Sequence, residues 1–548
     1  MQAINTIDRY WQTIRRLRPI QVSSRIGLRL KRPKVDLRPA PPLRAGKRTW
    51  VRPAQRKPSL QGEGAFFFLN EPGALTECGW DDPRREKLWR YNQHYFDDLN
   101  ARDFVKRAAW HGALIADWLT HNPPSIGTGW EPYPTSLRIV NWIKWSLGGG
   151  QLTTRAHESL ATQVRWLTHR LEYHLLGNHL FANAKALVFA GLYFDGPEAY
   201  SWRQLGLAIL EREFDEQILA DGGQFELSPM YHALVLEDVL DLINIARCYD
   251  TTLTTEERRL ALHWQMRVAP MLEWLEALSH PDGQIAFFND AAFKIAPDNH
   301  ELHQYATRMG FATDTAKRAL TWLEASGYAK LRQPDAELII DMARVGPDYL
   351  PGHAHADTLS FELSLFDSRV FVNSGTSLYG LSDERLRQRG TSAHNTVLVE
   401  GRNSSDVWSG FRVGRRARCF DQRVERTEEA LIAEAKHDGY RHLPGRPIHQ
   451  RRWELSRRSL RVIDQLSAPS LRAAARFHFH PHVDIEQTSP AQGLCTLPDG
   501  RLVNWDAGTA PIILEPTSWH PEFGKSAPTT CLVVPLINGR AVFELSWA

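Results

Sequence analysis

The chain has 548 residues, 43% apolar and 24% charged, enough to bury large cores over several domains and too apolar for a disordered chain. Its five cysteines are scattered, odd in number and without a CxxC pair, which excludes a disulfide scaffold and a thiolate metal site. No apolar run approaches the ~20 residues of a membrane-crossing helix, and the net charge of +3 hides a split: residues 1–58 carry +14 and the rest −11.

The basic arm (1–58) holds Arg15, Arg16, Arg18, Arg25, Arg29, Lys31, Arg32 and Lys34, then the Pro-rich stretch Arg38 to Pro42. Ile14 to Leu30 reads as a short basic amphipathic helix, suited to anionic lipid, anionic polysaccharide or the chain's own acidic body. Peripheral membrane contact through this arm is therefore one expectation. Nucleic acid is not, because no nucleic-acid module follows. The arm lacks the apolar core and cleavage site of a secretory signal, which leaves cytoplasm and periplasm both open. It is expected to lie outside any cleft and to capture polymer rather than take part in chemistry.

From about Trp80 to Leu331 apolar residues recur every three or four positions, as in Val235-Val239-Leu240-Ile243, between Gly and Pro breaks. This spacing predicts a helical bundle, solenoid or toroid over residues 59–330. Beyond 330, runs such as Leu359 to Leu365 and Ser459 to Asp464 alternate with period two, predicting an antiparallel sandwich over 331–548. The expected class is α+β multidomain, helices first and strands second. Nineteen Trp against six Met suit either sugar-binding surfaces or helix cores.

Four polar clusters could carry chemistry. Between Trp130 and Trp145, helical spacing puts Arg138, Asn141, Trp142 and Trp145 on one face, either a cation–amide–indole platform for an acidic sugar or a core helix with one paired Arg. Asn178 and His179 stand at the start of an apolar helix, where Asn178 can act as its cap. Asp221-Gly222-Gly223 leads through Glu226 to Ser228-Pro229, a helix start that puts Tyr231 in the first turn, where the helix dipole favours the phenolate. His353-Ala354-His355-Ala356-Asp357, with Asn373 and His394, is either a metal or acid–base cluster or a set of hydrogen-bonded loop histidines.

These four segments, in this order, resemble the heparinase II/III-like polysaccharide lyases, which include heparinase III and alginate lyase relatives. The resemblance starts near Leu88 and is most specific at Gly177-Asn178-His179, at Asp221 through Tyr231, and at Gly352 through Asp357 with Ala393-His394-Asn395. It implies an incomplete (α/α) helical toroid followed by a β-sandwich, with the polymer bound between them. It also implies β-elimination at a uronic acid in an anionic polysaccharide. Asn178 and His179 would neutralise the uronate carboxylate. Tyr231 would exchange protons with the glycosidic oxygen and, in some members, C5, and His353 would be a second acid–base group. Glu226 would position Tyr231, and Arg138 would bind the substrate anion. No cofactor is expected to be required. Some relatives hold a structural zinc through His, Asp and His, positions that read His355, Asn373 and His394 here, and Asn for Asp removes an anionic ligand. The arm and the missing signal resemble the branch that accompanies exopolysaccharide or capsule biosynthesis. A uronate C5-epimerase, or a silent polysaccharide-binding protein, would keep much of the same site.

Overall fold

The structure, a computed structural model, describes residues 2–312, 317–508 and 510–548. Two helices open the chain, α1 (Gln2–Ile14) and α2 (Pro19–Leu30), followed by a small three-stranded sheet between Leu60 and Ala74. The helical domain then runs through α3 (Leu75–Cys78), α4 (Lys87–Tyr95), α5 (Ala108–His121), α6 (Pro132–Leu147), α7 (Thr154–Thr168), α8 (Gly177–Tyr193), α9 (Pro197–Gln217), α10 (Pro229–Cys248), α11 (Thr255–Ala277) and α12 (Asn299–Arg308). From Leu180 onward the central helix α8 is buried all round and apolar but for Asn183 and Lys185, so neighbours must cover it on every side, and α6, α7, α9 and α10 do so. Its contact with α9 is close because Gly206 carries no side chain: a Cβ there would stand 2.7 Å from the Ala184 carbonyl oxygen.

The first strand of the second domain, Leu320–Leu323, lies ahead of the boundary read near residue 330. It opens a five-stranded antiparallel meander ending at Ser368–Phe371. A four-stranded sheet and an eight-stranded sheet follow, the latter running from Cys419–Arg426 to Asp484–Gln487 at its edges. Phe361, Phe477, Trp453 and Phe543, drawn from all three sheets, meet in one core, and Phe477 stacks on Phe543 at 4.2 Å. The strand Ala336–Asp341 is buried at every position because it is covered twice: Leu338 faces this core, and Ile339 faces Trp274 and Leu278 of the helical domain. The first sheet thus seats the sandwich on α11.

The N-terminal arm is not a tether. Backbone and side chains from Arg38 to Arg56 bond to the helical domain: Arg165 donates to the Arg38 and Pro39 carbonyls, Asn244 exchanges bonds with Val51, and Arg56 grips Glu237 at 2.7 and 2.9 Å. Helix α2 pairs Arg18 with Glu216, and the Gln21 amide donates to the Tyr349 carbonyl. Helix α1 reaches the sheet domain, where the Trp408 indole donates to Thr13 and Arg16 pairs with Asp348. The arm straps the two domains together.

Candidate active site

The two domains enclose a cleft of about 1400 Å³ that is lined by Asn178, His179, Glu226, Tyr231 and His353. Tyr231 owes its place to the turn before α10. Gly222 sits at φ +88°, and a Cβ there would strike the Pro270 carbonyl group at 2.3–2.4 Å, so only glycine fits. Asp221 ties the turn to Ser326 with two bonds of 2.8 Å. Ser228 caps α10 by accepting the Tyr231 N–H at 3.2 Å, and Pro229 is the first helical residue. The Tyr231 hydroxyl lies 2.9 Å from that of Tyr379 and its ring 4.0 Å from the His353 ring. Burial, then the neighbouring Tyr379 and Asp290, push the Tyr231 hydroxyl well above the ordinary tyrosine range. The lowered phenol expected from the helix dipole is corrected on this point, because a screened half-charge does not offset full desolvation.

His353 donates from Nδ1 to Asp290 at 2.8 Å, which leaves Nε2 on the side of Glu226, whose Oε2 is 3.8 Å away. Burial raises a carboxyl, but the Arg385 guanidinium and the two histidine bonds hold Asp290 well below the usual carboxylate range. Glu226 is 2% exposed; its Oε1 accepts from Gln224, and Oε2 makes no hydrogen bond to a described residue. Beside Glu226, α8 begins at Gly177, after Leu176 at φ +67°. Leu176 therefore holds the cap position, and Asn178 is inside the helix rather than its cap. The Asn178 amide makes no hydrogen bond to a described residue and lines the cleft. His179 places Nδ1 3.1 Å from Glu172 Oε1, and its ring packs on Tyr133 at 4.5 Å. Burial disfavours the imidazolium, but the Glu172 charge and hydrogen bond outweigh it and raise His179 above the ordinary imidazole value.

The expected platform on α6 is corrected. Arg138 is fully buried over the Trp118 ring at 4.0 Å and donates to Gln163, while Trp142 and Trp145 are core side chains. The face of α6 that lines the cleft is Tyr133, Leu137, Asn141 and Lys144, so only Asn141 belongs to both sets, its amide held by Asp97 at 2.7 Å. Tryptophan generally fills cores here, and Trp89 alone of the nineteen lines this cleft. Residues that the motifs did not flag are Tyr379, Glu172, Asp290 and the strap, which contributes Tyr10, Thr13, Gln21 and Arg25 to the cleft. Asp290 carried no local signal, since its partner Arg385 is 95 residues away.

Behind His353, the donor set His355, Asp357 and His394 lies within 4.8 Å of itself. His355 Nε2 faces Asp290 at 2.8 Å, and His394 Nδ1 faces Asn373 Oδ1, an oxygen that also accepts the Asn395 N–H. Both protons are thus directed outward, and the lone pairs of His355 Nδ1 and His394 Nε2 meet at 3.3 Å. Burial drives both rings down, to about 4 and about 3, so both are neutral at neutral pH. Two converging neutral imidazoles and a carboxylate fit a zinc ion. In such a site Asp357 would supply the third donor in place of the expected Asn373, whose Oδ1 bonds His394 from behind.

The family model for the heparinase II/III N-terminus matches residues 150–314, and that for the heparinase II/III-like C-terminal domain matches residues 315–548. A heparin-sulfate lyase of Bacteroides stercoris is 28% identical over 252 residues, 42% of this chain and 37% of the relative; one of Pedobacter heparinus is 27% identical over 344 residues, 56% and 49%. The chain therefore matches half or less of the length of these relatives. Among solved structures, heparinase III superposes with a TM-score of 0.66 at 16% identity over 86% of this chain and 77% of that one. Heparan sulfate lyase HepC from Pedobacter heparinus gives 0.57 at 18%, over 85% and 77%. These likenesses share the helical toroid and β-sandwich seen here. With both halves matched in order and the cleft between them lined as the motifs require, the chain belongs to the heparinase II/III-like family.

Proposed function

We propose that the protein is a polysaccharide lyase that cleaves a uronic-acid-containing anionic polysaccharide by β-elimination. The observation that carries this reading is the contact of a buried Tyr231 with His353, in one cleft with the free amide of Asn178 and the imidazole of His179. A uronate C5 proton becomes acidic only when the adjacent carboxylate is neutralised. The Asn178 amide and a protonated His179, oriented by Glu172, supply that neutralisation in a partly dry site. The environments then divide the acid–base work. His353, with its proton committed to Asp290, offers Nε2 as the base for C5. Tyr231, held as the neutral phenol, donates to the departing glycosidic oxygen.

A zinc ion held by His355, Asp357 and His394 would act structurally, bracing the loop that carries His353. The relatives named heparin-sulfate lyases support an anionic polysaccharide as substrate class. The test is a panel of uronate polymers read by ultraviolet absorbance. Elimination creates a conjugated unsaturated uronate; a C5-epimerase would exchange solvent deuterium into C5 without absorbance, and a binding protein would do neither.

A further inference from the structure

In a water-facing helix the apolar stripe turns inward and the polar face outward. Helices α1 and α2 are built the other way round. Their inward contacts are mostly polar: Thr13 with Trp408 and Val413 and Gln21 with Tyr349, joined by Arg16 with Asp348 and Arg18 with Glu216 from the turn between them, beside one ring contact of Tyr10 with Trp408. Their outward side chains are apolar. On α1, Ile7 and Trp11 follow helical spacing, and on α2 Val22, Ile26 and Leu30 do the same, while Tyr10 and Ile14 turn to the cleft. Trp11 is 60% exposed, Ile26 55% and Leu30 76%. Eight of the 21 large hydrophobic side chains exposed among the described residues fall within residues 7–30. Basic residues border these stripes. Arg15, Arg29, Lys31 and Arg32 form no ion pair with the described residues, and Asp8 is the single acid from residue 7 to residue 34.

We propose that α1 and α2 form a docking surface for an anionic membrane, lying in the headgroup plane with Trp11, Ile26 and Leu30 inserted and Arg29, Lys31 and Arg32 on lipid phosphates. Charge selects this occupant. A second copy of the chain would set like charges against one another across the interface, which costs affinity. A free polysaccharide would engage the arginines and leave the apolar stripe uncovered. An anionic bilayer satisfies both components at once. Because the same helices contribute Tyr10 and Gln21 to the cleft, docking holds the cleft mouth near the membrane. The surface is independent of the lyase reading.

The experiment is co-sedimentation of the full chain with vesicles of phosphatidylcholine, with and without phosphatidylglycerol. Two triple variants accompany it: Trp11→Ala/Ile26→Asp/Leu30→Asp, and Arg29→Glu/Lys31→Glu/Arg32→Glu. We expect binding only with phosphatidylglycerol, weakening with salt, and reduced roughly tenfold or more in each variant. Vesicles should also protect residues 7–30 of the wild-type chain from proteolysis, a readout that needs no variant. Equal sedimentation with both vesicle types, or no sedimentation and no protection, would overturn the proposal. So would a concentration-dependent dimer in light scattering that the apolar variant abolishes, which would assign the face to a second copy.

Discussion

Tyr231 and His179 line one cleft and both titrate above their ordinary values, which keeps Tyr231 neutral and favours the charged form of His179. Removing only the Tyr231 oxygen, as in Tyr231→Phe, should lower kcat by ~10²–10⁴ and leave substrate binding within a few-fold, because acid–base catalysis is lost and packing is kept. Single-turnover rates and binding isotherms on the same oligosaccharide check this, and near-wild-type turnover would remove Tyr231 from the chemistry. In the proposed mechanism His179 acts as the cation, and its value is raised, so activity should be present below that value and be lost as pH climbs through it. Glu172→Gln removes the carboxylate that sustains the raised value. The high-pH limb of the kcat/KM profile should therefore move to lower pH in that variant, and an unmoved limb would assign it to another group. Asn178, His179, Tyr231 and His353 were legible as residues because each sits in a short motif. Their partners were not: Glu172 hides in an ordinary helix–loop sequence, and Asp290 acts across 63 residues on His353 and 95 on Arg385.

At the scale of elements, the start of α10 and the histidine cluster can be tested separately. Ser228→Ala removes the cap of α10 and should cost about 0.5–2 kcal/mol by thermal or denaturant unfolding. Turnover should fall further than that loss explains, since the capped turn carries Tyr231. For the cluster, metal analysis of protein purified without chelator should find close to one zinc per chain, and a chelator should lower Tm. Asp357→Asn should reduce the bound zinc, whereas Asn373→Ala should loosen it less. A metal-free preparation whose Tm a chelator leaves unchanged would mean that the two rings are hydrogen-bonded sheet residues. Periodicity exposed the existence of α6 and even its amphipathic turn, yet it gave the wrong cleft face. Arg138, Trp142 and Trp145 looked like a binding platform because a buried guanidinium stacked on indole and an exposed one share the same spacing. Which side of a two-sided helix meets solvent is decided by its neighbours, here α4, α7 and α8.

For the whole molecule, the order of helices before strands was readable from the change of period, and the strap only as one of three options, contact of the basic arm with the chain's own acidic body. A run of arginines reads as solvated arm until the acids that receive it are located, and Glu216, Glu237 and Asp348 are far along the chain. The expectation of an external capture arm is replaced by a definite outcome. Deleting residues 1–58 should lower Tm and reduce turnover of a short oligosaccharide, because the deletion removes part of the cleft wall and the Arg56–Glu237 pair. Retention of full oligosaccharide turnover with an unchanged melt would restore the external arm.

The strap also sets a timetable for biosynthesis. Thr13 meets Trp408 across 395 residues and Val413 across 400. This segment therefore waits through about 400 residues of synthesis for its sheet-domain partners. At ~5–20 residues per second, a ribosome needs ~20–80 s to supply that partner strand. Early in that interval the two helices have open apolar faces and no acids to grip, since Glu216 and then Asp348 are supplied only partway through it. Chaperone engagement of the emerging chain should accordingly map to residues 7–30, whose apolar side chains are exposed from the start of that interval.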